Sequence, residues 1–307
     1  MTHTTRLAGA IAVSAGCAIA GVSRLHAQDR LHLFLSVTDA GGQPITDLKG
    51  SDVVLRQGGS HCLDVTLDPI KWPTRLTVML DNGVKMADSI GELRSSLRAF
   101  FREIPDGIEL AIITLAPQPR WLVRSTANRD GVMKSIELIA PDHGGPRFLD
   151  SLMEAADRID KEKTDSFPVI VAIVSDLTEG SNAKERDVMR MLDRFESHPV
   201  TVHVVMLTTS GRTATRGMSG QASSEVGSLV AKNTGGEYDA INSTTRLASL
   251  LPEIAHKIAR SYASQTHQYR VGCNRWDGAV TAVAPFTVGV SRPGAANAES
   301  TTDGHLP

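Results

Sequence analysis

Apolar and polar positions follow three different rhythms along this chain, and each rhythm predicts a different kind of element. From Leu31 to about Pro73 the stretches are short and strand-like. LHLFLSVTD alternates, GGQP (Gly41, Gly42 and Pro44) breaks the chain, and SDVVLRQGG and CLDVTLDPI alternate again, with no helical spacing among them. After Pro73 come short, nearly continuous apolar runs, RLTVMLD, IELAIITLA, FPVIVAIVSDL and VTVHVVMLTT. Such runs are the pattern of strands buried on both faces. Between them, apolar residues recur three and four apart, as at Ile90, Leu93, Leu97 and Phe100, or at Val188, Met191, Leu192 and Phe195. RFLDSLMEAADRIDKE, SSEVGSLVAKNTGG and TRLASLLPEIAHKIARSYA also read as helices, PRWLVRSTA as a hairpin partner of the second buried run, and EYDAIN as a short edge strand.

Parallel neighbours need crossover connections, and helices are the usual crossovers. The alternation therefore predicts an α/β domain over 74–263, a doubly wound, mostly parallel sheet with helices on both faces. Beyond it, HQYRVGC, a turn at Asn274 to Gly278 and AVTAVAPFTVGV predict a β-hairpin over 264–293 that packs with the N-terminal β region, 28–73. The last stretch, 294–307, lacks apolar content and is expected to be a disordered tail.

Composition adds compartment and partners. Of 307 residues 41% are hydrophobic, which is ample for a core, while a formal charge of −2 with both signs interspersed shows no nucleic-acid footprint. Residues 1–27 read as a signal peptide, with Arg6 at its start, an apolar run over 7–22 and small residues near Ala27. An uncleaved anchor is the alternative, and a lipoprotein reading through Cys17 is disfavoured by Ser14. The mature chain is expected to begin near Gln28, to be periplasmic or secreted, and to have no membrane span after cleavage. Cleavage leaves Cys62 and Cys273, an even pair in an oxidising compartment, which is a disulfide candidate or else two buried thiols. One cysteine falls in each terminal β segment, so a bond would clasp the two together.

In open α/β sheets ligands bind beyond the carboxyl ends of the strands. The first buried strand ends Leu80-Asp81-Asn82-Gly83-Val84-Lys85, the most apolar one ends Ser175-Asp176, and the loop Asp142 to Arg147 precedes a helix. Two strands ending in Asp at one rim could hold a divalent cation through oxygen.

This arrangement resembles the von Willebrand factor A domain. The flanks, SVTDAGGQPITDLKGSDVVLRQGG before the core and YRVGCNRWDGAVTAVAPFTVGVSRPG after it, are similar to the bacterial exported subgroup called VWFA-related proteins. The resemblance covers about 31 to 293. It implies a metal-ion-dependent adhesion site built from an Asp-x-Ser-x-Ser run, a Thr and a later Asp. Carried over by position, Asp81 and Asp176 match the two carboxylates, whereas Gly83, Lys85 and Pro146 stand at the three hydroxyl positions. The resemblance therefore implies a degenerate adhesion site. No cofactor is expected, Mg²⁺ or Mn²⁺ on Asp81 and Asp176 being the alternative. Lys85 is expected to replace the cation by pairing with both carboxylates, or else to point into solvent.

No Gly-x-Ser-x-Gly, His-Glu-x-x-His, Cys-x-x-Cys or dinucleotide fingerprint is present, so no enzyme is expected. His198 and His203 lack ligand spacing. The Ser/Thr/Gly-rich run from Gly211 to Ser224 is expected to be a surface loop on the same rim. The sequence thus points to a non-enzymatic module that binds an unidentified protein, with a scaffold that docks through its β region as the second reading and a metal-dependent adhesin or a hydrolase as more distant ones.

Overall fold

The computed structural model describes residues 33–162, 165–176, 179–197, 200–208, 218–280, 285–302 and 304. The signal peptide expected over 1–27, His198 and the first part of the 211–224 run lie outside them. The strands are β1 (Leu33–Thr38), β2 (Val53–Gln57), β3 (Ser60–Pro69), β4 (Thr74–Leu80), β5 (Glu109–Thr114), β6 (Arg120–Thr126), β7 (Phe167–Ser175), β8 (Thr201–Leu207), β9 (Tyr238–Ile241), β10 (Tyr269–Trp276), β11 (Phe286–Val290) and β12 (Asn297–Thr301). The helices are α1 (Ile90–Glu103), α2 (Arg129–Ser135), α3 (Phe148–Glu162), α4 (Glu185–Ser197), α5 (Met218–Asn233) and α6 (Leu247–Gln265).

Six strands form the α/β sheet in the order β6-β5-β4-β7-β8-β9. All neighbours run parallel except β6, which returns antiparallel along β5 as a hairpin edge. The apolar runs of the sequence are explained by burial on both faces. Successive side chains of a strand point to opposite sides. Val169, Val171 and Ile173 accordingly pack beneath α1 and α6, while Ile170, Ala172 and Val174 pack beneath α3, α4 and α5. The doubly wound α/β reading is thus observed directly. One element differs at its start: the last residues of the 211–224 run are not loop but the first turns of α5.

The second sheet has the order β11-β2-β3-β10-β1-β12, every pair antiparallel, and its strands come from both ends of the chain. Its core is Leu33, Leu35, Val53, Leu55, Tyr269 and Val271. Three expectations are corrected here. A short 3-10 turn, Gly50–Asp52, interrupts the N-terminal β segment. The expected hairpin over 264–293 does not form. β10 lies between β3 and β1, whereas β11 pairs with β2 from Phe286↔Gln57 to Val290↔Val53. The ten-residue β3 causes this, because it takes β2 at Ser60 and His61 and β10 along its remainder. Alternation sets which face a residue occupies but not which edge the strand joins.

The disordered tail expected over 294–307 is also corrected, since β12 pairs with β1 from Phe34↔Thr301 to Thr38↔Asn297. Its side chains are mostly exposed, so a backbone ladder holds it in place and composition carries no sign of it.

The disulfide is present: Cys62 on β3 bonds Cys273 on β10, with Cα atoms 5.8 Å apart and a sequence separation of 211. A cross-link over a loop this long restricts the unfolded chain by about 4–5 kcal/mol in the chain-entropy account. The double variant Cys62→Ser/Cys273→Ser should lose up to about that much unfolding free energy in urea titrations. Dithiothreitol should lower the wild-type midpoint and leave the variant's unchanged.

Candidate functional site

The carboxyl rim of the α/β sheet is built from the chain that leaves β4, β5 and β7. As β4 ends, the Asp81 N–H donates to Ile173 O at 2.9 Å, and its side chain turns inward with 0% exposure. A buried carboxylate costs free energy unless donors surround it. Asp81 Oδ1 accepts from Gly83 N–H at 2.7 Å. Asp81 Oδ2 accepts from Ser175 N–H at 3.2 Å and from Ser175 Oγ–H at 2.5 Å. Burial raises the carboxyl above its ordinary range, opposed by these three bonds.

Asn82 carries the next link. Its Nδ2 donates to Ala140 O at 2.9 Å, its Oδ1 accepts from Ala116 N–H at 3.0 Å, and its backbone O accepts from Asp142 N–H at 2.7 Å. It thereby ties β4, β5 and the loop before α3 into one rim. Gly83 then lets that loop close. A Cβ on residue 83 would lie 2.6 Å from Gly144 O and 3.4 Å from Pro146 Cδ, so glycine is required by close approach. Pro146 is buried and its O accepts from Gly180 N–H at 2.7 Å.

Asp176 sits at the same rim, half-buried, with its N–H bonded to Leu207 O at 3.1 Å. Its Oδ1 is buried and, among the described residues, has no hydrogen-bond partner. Lys85 does not take the expected place. It is exposed, and among the described residues no ion pair joins it to Asp81 or Asp176. The cause is local: Met86 N–H closes a turn on Gly83 O at 2.9 Å and the Met86 side chain enters the core, which turns Val84 and Lys85 outward. Of the five rim residues expected from the sequence, the structure brings Asp81, Gly83 and Pro146 together around the Gly144 loop and leaves Lys85 outside. Ser175 and Asn82 were missed. Ser175 carried a signal, since it precedes Asp176 at a buried strand end; Asn82 carried only its place beside Asp81.

A further carboxyl, Glu179, lies under the N-terminus of α3. It accepts from Ser181 N–H at 2.9 Å and Ser223 Oγ–H at 3.1 Å and bonds the Leu149 N–H, while burial raises it above the ordinary range. Among the described residues no group of three His, Cys, Asp or Glu could hold a metal ion. At the rim Gly83 and Pro146 offer no side-chain oxygen, and both Asp81 oxygens already accept hydrogen bonds. His203 on β8 is structural, with its Nδ1 accepting from Glu237 N–H at 3.2 Å. Burial, opposed by the Glu237 charge, lowers it to about 4.

Fold and rim together define a doubly wound α/β module whose carboxyl rim is covered by its own loop. No protein-family model matches the sequence, and no curated protein matches it. Among solved structures the chain is similar to a von Willebrand factor type A protein from Catenulispora acidiphila, at 11% identity over 75% of this chain and 50% of that one, with a TM-score of 0.49. This chain thus spans about half the length of that protein's chain. It is also similar to the conserved hypothetical protein BatB from Bacteroides thetaiotaomicron, at 14% identity over 61% of this chain and 100% of that one, TM-score 0.45. A third is the vWF domain of the type V pili tip protein Mfa5 from Porphyromonas gingivalis, at 10% identity over 62% and 96% of the two chains, TM-score 0.46.

The buried polar groups of this domain set two expectations. Asp81→Ala leaves three buried donors unpaired and should lower the unfolding free energy by about 2–3 kcal/mol, whereas Lys85→Ala should change it by less than about 0.5 kcal/mol, both read from urea midpoints. The second concerns acid. The folded pKa of His203 lies below its ordinary 6.5, so its contribution to stability is complete above pH 6.5 and is lost as pH falls toward 4. The raised carboxyls of Asp81 and Glu179 act in the opposite sense, so the His203 contribution is isolated by comparing variants. Between pH 6.5 and 4 the wild type should lose about 3 kcal/mol more unfolding free energy than His203→Gln.

Proposed function

We propose that this chain is a non-enzymatic protein-binding module, exported to an oxidising compartment, whose rim works without a divalent cation. The observation that carries the reading is the saturation of Asp81 by its own chain. Its carboxylate accepts three hydrogen bonds, and the Gly144 carbonyl rests on Gly83 where a ligating side chain would have to stand. Mg²⁺ demands near-octahedral oxygen coordination, which this arrangement would have to break internal bonds to supply. The surface the rim does offer is Val84, 49% exposed, with Lys85 and His143 beside it. An exposed apolar residue flanked by polar ones suits contact with a protein. The Cys62–Cys273 bond supports export, because such bonds persist in oxidising compartments. Among the described residues no helix is long and apolar enough to cross a membrane.

A scaffold that docks through its second sheet is the other reading, favoured by that sheet's construction from both chain ends. Partner capture separates the two: Val84→Asp and Lys85→Glu should abolish it under the rim reading and spare it under the scaffold reading. For the cation, Mg²⁺ and Mn²⁺ titrated calorimetrically into the purified chain should give no saturable heat and no rise in Tm. Saturable binding of either ion would overturn the metal-independent rim.

A further inference from the structure

A cavity of about 630 Å³ lies between α3 and the β4–β5 part of the α/β sheet, on the face that carries α3, α4 and α5. That size is typical of small-molecule sites. α3 is the outermost of these helices, packing against α4, which in turn meets α5. Between α3 and the edge strand β6 the sheet forms the floor of a groove, its side chains largely buried. Met79, Ala111, Ile113 and Ile170 form that floor, and Ala155 and Ile159 of α3 form one wall.

The shape follows from the pleat. Thr77 and Met79 on β4, and Ala111 and Ile113 on β5, point to the same face two residues apart, so the floor is a track along the strands. From Arg75 to Met79 it runs roughly 13 Å at about 3.3 Å per residue. Two indoles stand along it, Trp72 near the start of β4 and Trp121 on β6. Indole rings suit a boundary between apolar and wet surroundings.

The charges lining the groove balance. Arg75, Arg124 and Arg158 face Glu154, Glu162 and Asp165. Arg75 bridges Glu162 at 3.3 Å and Glu109 at 3.2 Å, and Arg158 bonds Glu154 at 2.9 Å while its guanidinium lies 4.4 Å from the Trp121 ring centroid. With Arg75, Arg158, Glu154 and Glu162 paired at the edge, the apolar floor and wall favour an elongated apolar chain. The geometry points to a site for a linear acyl chain, laid along the β4–β5 floor with its polar head at the charged mouth. A free fatty acid and a lysolipid share this chemistry.

Trp72 and Trp121 make the groove self-reporting. The full chain is titrated with sodium octanoate, decanoate and dodecanoate below their micellar concentrations while tryptophan emission is followed. A saturable change is expected, tightening about fourfold per added methylene. Ala155→Phe and Ile159→Trp fill the groove and should each weaken dodecanoate binding at least tenfold with an unchanged circular dichroism spectrum; if one fails to fold, the other carries the comparison. Lauroyl lysophosphatidylcholine distinguishes the sources: binding equal to dodecanoate's admits a lipid, and its exclusion restricts the site to the free acid. The absence of a saturable change, a response indifferent to chain length, or full binding by the folded filled variants would overturn the site.

Discussion

The carboxylate of Asp81 stands where the two central strands of a sheet buried on both faces come to an end. β4 and β7 are neighbours, and Ser175 at the end of β7 supplies two of the three hydrogen bonds that Asp81 accepts. Desolvation makes this group costly, so the donors around it cannot be dispensed with. Their positions in turn fix the turn at Gly83, the inward course of Met86 and the outward course of Lys85. With no side chain at Gly83, the loop carrying Gly144 and Pro146 comes down onto the rim, and Asn82 fastens it there. The closed character of this end follows from one buried charge and one missing Cβ.

The α/β sheet is joined to the second sheet by packing as well as by chain connection. Phe34 of β1, Ile70 and Phe167 of β7 form a small buried cluster with Trp72 against it, the ring of Trp72 lying 5.1 Å from Phe34 and 5.3 Å from Phe167. Ile70 N–H also bonds Gln268 O at 3.0 Å, which brings the chain entering the α/β domain beside the chain leaving it. The disulfide lies farther out, across β3 and β10, and holds together strands that sequence order keeps far apart. Trp72 therefore belongs both to this junction and to the start of the groove along β4.

These features divide the surface into a closed end and an open flank. At the rim Asp81, Asn82 and Ser175 bond the chain around them, and the Gly83 turn pushes Val84 and Lys85 outward. Along α3 a groove runs over β4 and β5, with Arg158 of α3 reaching across to Trp121 of β6. These are the surfaces a partner or ligand would meet, and fold alone does not set which.

The sequence by itself determined the α/β architecture. Strands buried on both faces must be apolar throughout, and helices covering them must be apolar on one side, so both classes are written in local periodicity. It also determined which strand ends meet at the rim, because Asp81 and Asp176 each close a buried run, and it showed that Gly83 and Pro146 offer no side-chain ligand there. Only the tertiary structure decided where β11 and β12 pair. Their ladders are made by backbone groups that every residue carries, and the exposed side chains of β12 leave no pattern. The direction of Lys85 was likewise settled by packing, since the burial of Met86 next to it depends on a core assembled from distant strands and helices. The hydrogen bonds of Ser175 and Asn82, and the groove beside α3, arise from residues brought together across the sheet, and spacing along one strand carries no record of what the next strand places opposite it.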